Sequence, residues 1–305
     1  MNVLQELLAK LDYKETTDRI CEFITDQVAI NNGRGLIIGV SGGLDSAVGA
    51  FLGVKALGPA KVHGLFLSEK GTTSHNRRYA EEVAKTAGFS LETIELTPTL
   101  EKLGCYRNLI VRLARSKTLN RIGFQTFRRI SNLDLFEINL KGTNNKIVNQ
   151  AIESYYLMFR TRIEVLCNRA REEGSLRPEC FNRTESLVGF SPRYGDIEGD
   201  FAPILPLYKT QVRALATYLG VPKAVISKPP SPDMIPGITD EMILNISYNK
   251  LDPVLFSLEN GFSEQEISVR CGVPWKQVKR VKHLVALASH LGQWRGKAPH
   301  PDLGK

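Results

Sequence analysis

Leu36-Ile-Ile-Gly-Val-Ser-Gly-Gly-Leu-Asp-Ser-Ala-Val48 decides how this chain is read. An apolar run predicts a strand, Ser41-Gly42-Gly43 a tight turn, and the residues after it the first turn of a helix. Gly42 and Gly43 have no Cβ and tolerate positive φ, so successive N–H groups can converge on one anion. The following helix adds its unpaired N–H groups and the positive end of its dipole. Ser41 and Ser46 contribute hydroxyls. Asp45 would repel a bare phosphate, so it implies a bound divalent cation. A Walker loop would place Gly-Lys-Ser/Thr here, and the segment has no lysine.

Outward from this turn the pattern repeats. Gly35–Val40 reads as the first strand and Asp45–Ala56 as its helix, stopped by Gly58 and Pro59. Lys61–Leu67 is a second strand, Asn76–Gly88 a helix with a C-cap glycine, and Ser90–Leu96 a third strand. Strand–helix alternation predicts an α/β fold built on a doubly wound parallel sheet with helices on both faces. Ligands of such sheets sit at the carboxyl ends of the strands, where the Ser-Gly-Gly turn falls. Before the first strand, Leu4–Gln27 reads as two amphipathic helices. Ala151–Arg171 is a long helix and Lys209–Leu219 another, closed by Gly220 and Pro222. Thr184–Tyr194 leads into a Gly/Asp turn, Lys228–Gly237 is a proline-rich loop, and Glu264–Leu291 makes two or three short helices. We expect one domain over 1–256, containing a divergent basic segment at 101–145, and a helical extension at 257–305.

The 305 residues are 42% apolar, enough for a sizeable core, and carry a net charge of +8, which suits polyanionic ligands. Five cysteines are scattered without a Cys-x-x-Cys pair, which speaks against a zinc ribbon and for a reducing cytoplasm. No apolar run approaches membrane-spanning length. Arg107, Arg112, Arg115, Lys117, Arg121, Arg128 and Arg129, interleaved with Tyr106, Phe124 and Phe127, could bind nucleic acid. A surface helix with solvated cations fits them better. Ser263–Leu287 has the outline of a helix-turn-helix, but its second helix offers only Gln277 and lysines as base readers, so a packed helical hairpin is the simpler reading.

Several further strings follow in one order: Asn182-Arg-Thr-Glu185, Gly189-Phe-Ser-Pro-Arg-Tyr-Gly-Asp196, Asp200, Leu207-Tyr-Lys-Thr-Gln-Val212, Lys228-Pro-Pro-Ser-Pro-Asp233 and Pro236-Gly-Ile-Thr-Asp-Glu241. With Ser41–Ser46 they resemble the NAD synthase family, within the N-type ATP pyrophosphatase superfamily and its adenine-nucleotide alpha-hydrolase-like fold. The resemblance implies that ATP adenylates the nicotinate carboxylate of deamido-NAD and that ammonia then displaces AMP. A carboxylate resists direct amidation because oxide is a poor leaving group, whereas AMP is a good one.

The resemblance also implies roles. Ser41, Gly42, Gly43 and Ser46 hold pyrophosphate, Asp45 and Glu185 bind Mg2+, and Lys209 and Ser231 contact the ATP phosphates. Asp45, Lys209, Ser231 and Asp200 form the catalytic set, while Arg160, Arg162, Asp196 and Asp233 bind the acid substrate. It further implies a homodimer, the long helix lying at the twofold interface, with free ammonia or a separate glutaminase supplying nitrogen. The match departs at Glu179-Cys180-Phe181, where the family has Gly-Thr before its Asn, and at Tyr156, Pro192, Ile197, Pro232 and Ile238. These departures lie on the acyl-acceptor side, so a related ligase that amidates another carboxylate stays open. A tRNA-modifying pyrophosphatase would need paired catalytic cysteines, and a non-catalytic DNA-binding regulator would not need Asp45, Glu185 and Lys209 together.

Overall fold

The computed structural model describes residues 2–130, 134–190, 199–232, 235–290 and 298–304. Helices α1 (Val3–Ala9) and α2 (Tyr13–Ile30) begin at Asn2 and Asp12, whose side chains accept the N–H groups of Gln5 and Glu15. The chain then alternates strand and helix: β1 (Leu36–Gly39), α3 (Leu44–Leu57), β2 (Val62–Ser68), α4 (Ser74–Ala87) and β3 (Ser90–Glu95). The expected alternation is present, with ends shifted by a residue or two.

The three strands are parallel in the order β1-β2-β3, with Leu36 opposite Val62 and His63 opposite Ser90. On the free side of β1, Leu36 makes a parallel bridge to Leu176, and Pro178 makes one to Phe201. The layer therefore runs β3, β2, β1, the 176–178 stretch, then the 201 stretch. Chain order reverses between β1 and the 176–178 stretch, which makes the carboxyl end of β1 the topological switch point of a doubly wound sheet.

After β3 come α5 (Thr97–Lys102), α6 (Leu109–Leu113), α7 (Lys117–Ile130) and α8 (Leu135–Lys141), within the stretch read as basic. Arg107, Arg112, Arg115, Lys117 and Arg121 are exposed, as a solvated face requires. Helix α9 (Lys146–Glu173) starts ahead of the expected Ala151, because the Asn145 side chain accepts the N–H groups of Ile147 and Val148. It ends at Gly174, which adopts φ 61°. Then follow α10 (Arg183–Val188), α11 (Lys209–Leu219), α12 (Lys223–Ser227), α13 (Asp240–Leu244), α14 (Tyr248–Glu259), α15 (Glu264–Cys271) and α16 (Trp275–His290).

Side chains of β1 alternate between two cores, as strand geometry dictates. Leu36 and Ile38 join α2, α3 and α11 on one face, while Ile37 meets Leu65 and Ala170 of α9 on the other. A second large core lies beside the sheet. In it Val278, Val281 and Leu284 of α16 pack with Val3 and Leu7 of α1, Phe136 of α8 and Leu251 and Val254 of α14. The expected boundary at 256/257 thus falls inside α14, and the last two helices share a core with the first. Arg280 of α16 pairs with Asp134, the N-cap of α8, and the α15–α16 hairpin packs on the domain. Beyond α16, the Ala202 N–H donates to Pro299 O (2.8 Å), Ala298 packs against Phe181, and Leu303 rests on the first core. Among the described residues no helix is long and apolar enough to cross a membrane.

Candidate active site

The turn after β1 is built as a cradle. Gly42 takes φ 73°, and a Cβ there would stand 2.4 Å from Asn76 O, so only glycine fits. Gly43, expected to share that freedom, is instead the extended N-cap of α3 (φ −97°). Its role is to lack a side chain at the helix entrance. Ser46 Oγ donates to Gly43 O (3.1 Å) and accepts the Ser41 N–H (3.3 Å), while the Gly43 N–H donates to Ser41 Oγ (3.2 Å). These bonds fix the turn and leave the first-turn N–H groups of α3, which have no partner within the helix, facing an incoming anion.

Across the switch point, α10 and α11 bring their first turns to the cradle. Asn182 caps α10 and forms a capping box with Glu185. The same Asn182 donates through Nδ2 to Asp45 Oδ1 (3.0 Å). Lys209, the first residue of α11, places its Nζ between Asp45 Oδ2 and Glu185 Oε1, the latter at 3.1 Å. The side chains of Lys209, Asp45 and Glu185 are 3%, 17% and 12% exposed. Burial alone would lower the Lys209 pKa, but the Asp45 and Glu185 carboxylates outweigh it and raise it, so the ammonium stays charged. Burial pushes Glu185 up to about 7, with Lys209 pulling against the rise and Asp45 adding to it.

Asp45 and Glu185 converge on one cation, the Lys209 ammonium, and their hard oxygens have the donor chemistry that a magnesium ion takes. Asp45 and Glu185 would hold it.

These groups line a cavity of about 940 Å3. Ser41, Gly43, Asp45, Ser46, Glu185, Lys209 and Ser231 all line it. The remainder of the wall is largely apolar, with Ile110, Leu113, Ile138, Ile152 and Phe159 from α6, α8 and α9. The segment that reads as basic therefore has a second, apolar side that the charge pattern conceals. Cys180 also lines the cavity, and burial pushes its thiol pKa up, so it stays protonated.

Other expected residues are placed elsewhere. Asp200, read as catalytic, does not line the cavity. Its Oδ2 accepts the Arg177 N–H (2.6 Å), tying the 201 stretch to the 176–178 stretch. Arg160 and Arg162, read as substrate ligands, lie on α9 outside the lining. Arg162 donates to Met158 O (3.1 Å) and faces Glu69 Oε1 at 3.8 Å. Asp196 and Asp233 lie outside the described residues. Three residues without an assigned role also join the site. Lys228 donates to Gly42 O (3.4 Å) and lines the cavity. Asp240, buried at the start of α13, accepts from Tyr248 OH (3.1 Å). Asn182 is the third. All three belong to strings quoted above, but a string shared with a family does not say which of its members turns inward.

A sequence model of the NAD synthase family matches residues 16–126 and 131–293. The chain belongs to the NAD synthase family, whose members are ATP-dependent amidating ligases. An NH3-dependent NAD+ synthetase of Thermotoga neapolitana is 35% identical over 271 residues, 88% of this chain and 90% of that one. One of Methanocaldococcus jannaschii is 32% identical over 290 residues, 95% and 97% of the two chains. Among solved structures, an NH3-dependent NAD synthetase of Campylobacter jejuni superposes with a TM-score of 0.63 at 22% identity, over 94% of this chain and 99% of that one. An NMN synthetase of Francisella tularensis gives 0.66 at 22% identity, over 95% and 99%. These two superpositions establish the adenine-nucleotide alpha-hydrolase-like fold.

Proposed function

We propose that this member of the family is an ammonia-dependent NAD synthase that converts deamido-NAD to NAD at the expense of ATP, releasing AMP and pyrophosphate. The observation that carries the reading is the Asp45–Lys209–Glu185 bridge at the mouth of the Ser41–Ser46 cradle. In the first step a substrate carboxylate oxygen attacks the α-phosphorus and the bond to the β-phosphate oxygen breaks. Negative charge gathers on the departing diphosphate, where the N–H groups of α3 and the fixed ammonium of Lys209 stabilise it without reorganising. Lys228 adds a second cation at the rim. In the second step ammonia attacks the acyl carbon, AMP leaves and a proton is released. Magnesium, when bound to Asp45 and Glu185, supplies further neutralisation of phosphate charge. The apolar wall excludes water from the acyl-adenylate, which would otherwise hydrolyse. The reading includes a cytoplasmic location and a homodimer; Arg160 and Arg162, outside the cavity of one protomer, are assigned to substrate contacts at its twofold interface.

A second reading, amidation of a different carboxylate, is favoured by one feature. Glu179-Cys180-Phe181 replace the expected Gly-Thr; Glu179 pairs with Arg177 (3.0 Å), and Cys180 and Phe181 present apolar surface to the cavity. The deciding experiment measures products from ATP, magnesium and ammonium with deamido-NAD against a panel of carboxylic acids. AMP and pyrophosphate formed in step with NAD support the first reading, and selective turnover of another acid supports the second. ADP and orthophosphate would refute both.

A further inference from the structure

We infer that Asp252 of α14, which does not line the cavity, is the positioning residue that sets Lys209 and Glu185 in register. Its carboxylate is fully buried (0% exposed) and divides its two oxygens between two elements of the site. Oδ1 accepts from Thr184 Oγ1 (2.7 Å) on α10, one residue before Glu185. Oδ2 accepts the Thr210 N–H (2.7 Å) on α11, one residue after Lys209. The Thr184 hydroxyl, having given its proton to Asp252, accepts the Lys209 N–H (2.9 Å).

The entry of α11 explains why an outside carboxylate is needed. The first N–H groups of a helix have no internal partner. At the N-cap, the Tyr208 N–H is taken by Gln211 Oε1 (3.0 Å) and the Tyr208 hydroxyl donates to Glu259. The N–H groups of Lys209 and Thr210 are instead taken by Thr184 and Asp252, 25 and 42 residues away. One acid thus caps α11 and anchors α10 at the same time. Rotation of either helix start would move Lys209 Nζ relative to Glu185 Oε1. Glu259, also of α14, reaches the same two helix starts through the Arg183 guanidinium and the Tyr208 hydroxyl, whereas Asp252 holds the residues next to Glu185 and Lys209.

The inference rests on the pyrophosphate-releasing reaction proposed above, and the test separates the two. Asp252→Asn keeps the shape but replaces one accepting oxygen with a donor. Thr184→Val removes the relay, and Thr184→Ser restores it. Val254→Ala, a buried change in the same helix, lowers the thermal midpoint without touching the network. Asp252→Asn and Thr184→Val should lower kcat roughly 100-fold, the loss that a misplacement of about 1 Å brings. They should also raise KM for ATP and leave KM for the acid unchanged. A merely destabilised protein has fewer active molecules, so its apparent kcat falls with both KM values intact. Equal kinetic losses in Asp252→Asn and Val254→Ala, or failure of Thr184→Ser to recover, would overturn the inference. If the wild-type chain releases no pyrophosphate with any acid, the proposed reaction fails. Calorimetric affinity for ATP with magnesium then decides the role of Asp252: weaker binding in Asp252→Asn than in Val254→Ala upholds it, and equal binding overturns it.

Discussion

Replacing Lys209 by Met tests the bridge directly, because Met keeps the buried stem and deletes the charge. At an effective dielectric of about 20, an ammonium and a carboxylate at the 3.1 Å seen with Glu185 attract each other by about 5 kcal/mol before desolvation. Removing one partner of a buried ion pair typically costs ~3–5 kcal/mol. Here part of that cost can be relieved, because burial already pushes Glu185 up to about 7 and the lost ammonium drives it higher. Lys209→Met should therefore take up a proton at neutral pH and lose less stability at pH 6 than at pH 8. Activity has no such escape. The departing diphosphate loses a preorganised cation, and deletion of one such stabilising group costs a factor of about 100–1,000 in kcat. The assays are pyrophosphate release under saturating ATP, magnesium, ammonium and acid, and thermal unfolding at the two pH values. A variant with kcat within tenfold of wild type would refute the role of Lys209, and a stability loss independent of pH would refute the coupling to Glu185.

Asp45→Asn should abolish AMP formation while circular dichroism remains native; undiminished AMP release would remove the metal assignment. The raised pKa of Glu185 means that its contribution to stability is present below about 4.5 and is lost as pH rises through about 7. Binding of magnesium with ATP needs the carboxylate, so it should tighten as pH rises through 7 and release protons near pH 6.5 in calorimetry. Glu185→Gln should abolish that proton release, and its persistence would point to another group. Gly42→Ala forces a Cβ against Asn76 O and a left-handed backbone that costs about 1–2 kcal/mol for a non-glycine residue. It should lower the thermal midpoint and weaken ATP binding together, whereas an unchanged ATP affinity would show that the cradle tolerates a different turn.

What could be read in the sequence was what is local. Leu36–Val48 specifies strand, turn and helix through adjacent residues, and Lys209 and Glu185 each stand in a recognisable string. Residues that act through distant partners were not legible. Asp252 lies 68 residues from Thr184, and no spacing rule connects them. Asp200 illustrates the converse: an acid beside a glycine suits a site, and the sequence does not reveal that its carboxylate is engaged by the backbone of a neighbouring stretch. Residues 101–145 were hard for a third reason. Their cations recur on the outside, while the apolar side chains they send to the cavity wall come from two short helices, α6 and α8, with no single long stripe. The cysteines informed the reading only through their spacing, which contains no Cys-x-x-Cys pair.

The bond from Ala202 to Pro299 bears on the order in which the protein is made. The sheet stretch under the cavity is joined by a segment synthesised long after it. A ribosome that has completed the Ser41–Ser46 turn, and even Lys209, has not yet emitted the strap that fastens this layer. That fastening is thus a late event in the life of a nascent chain, and a prematurely terminated copy would lack it.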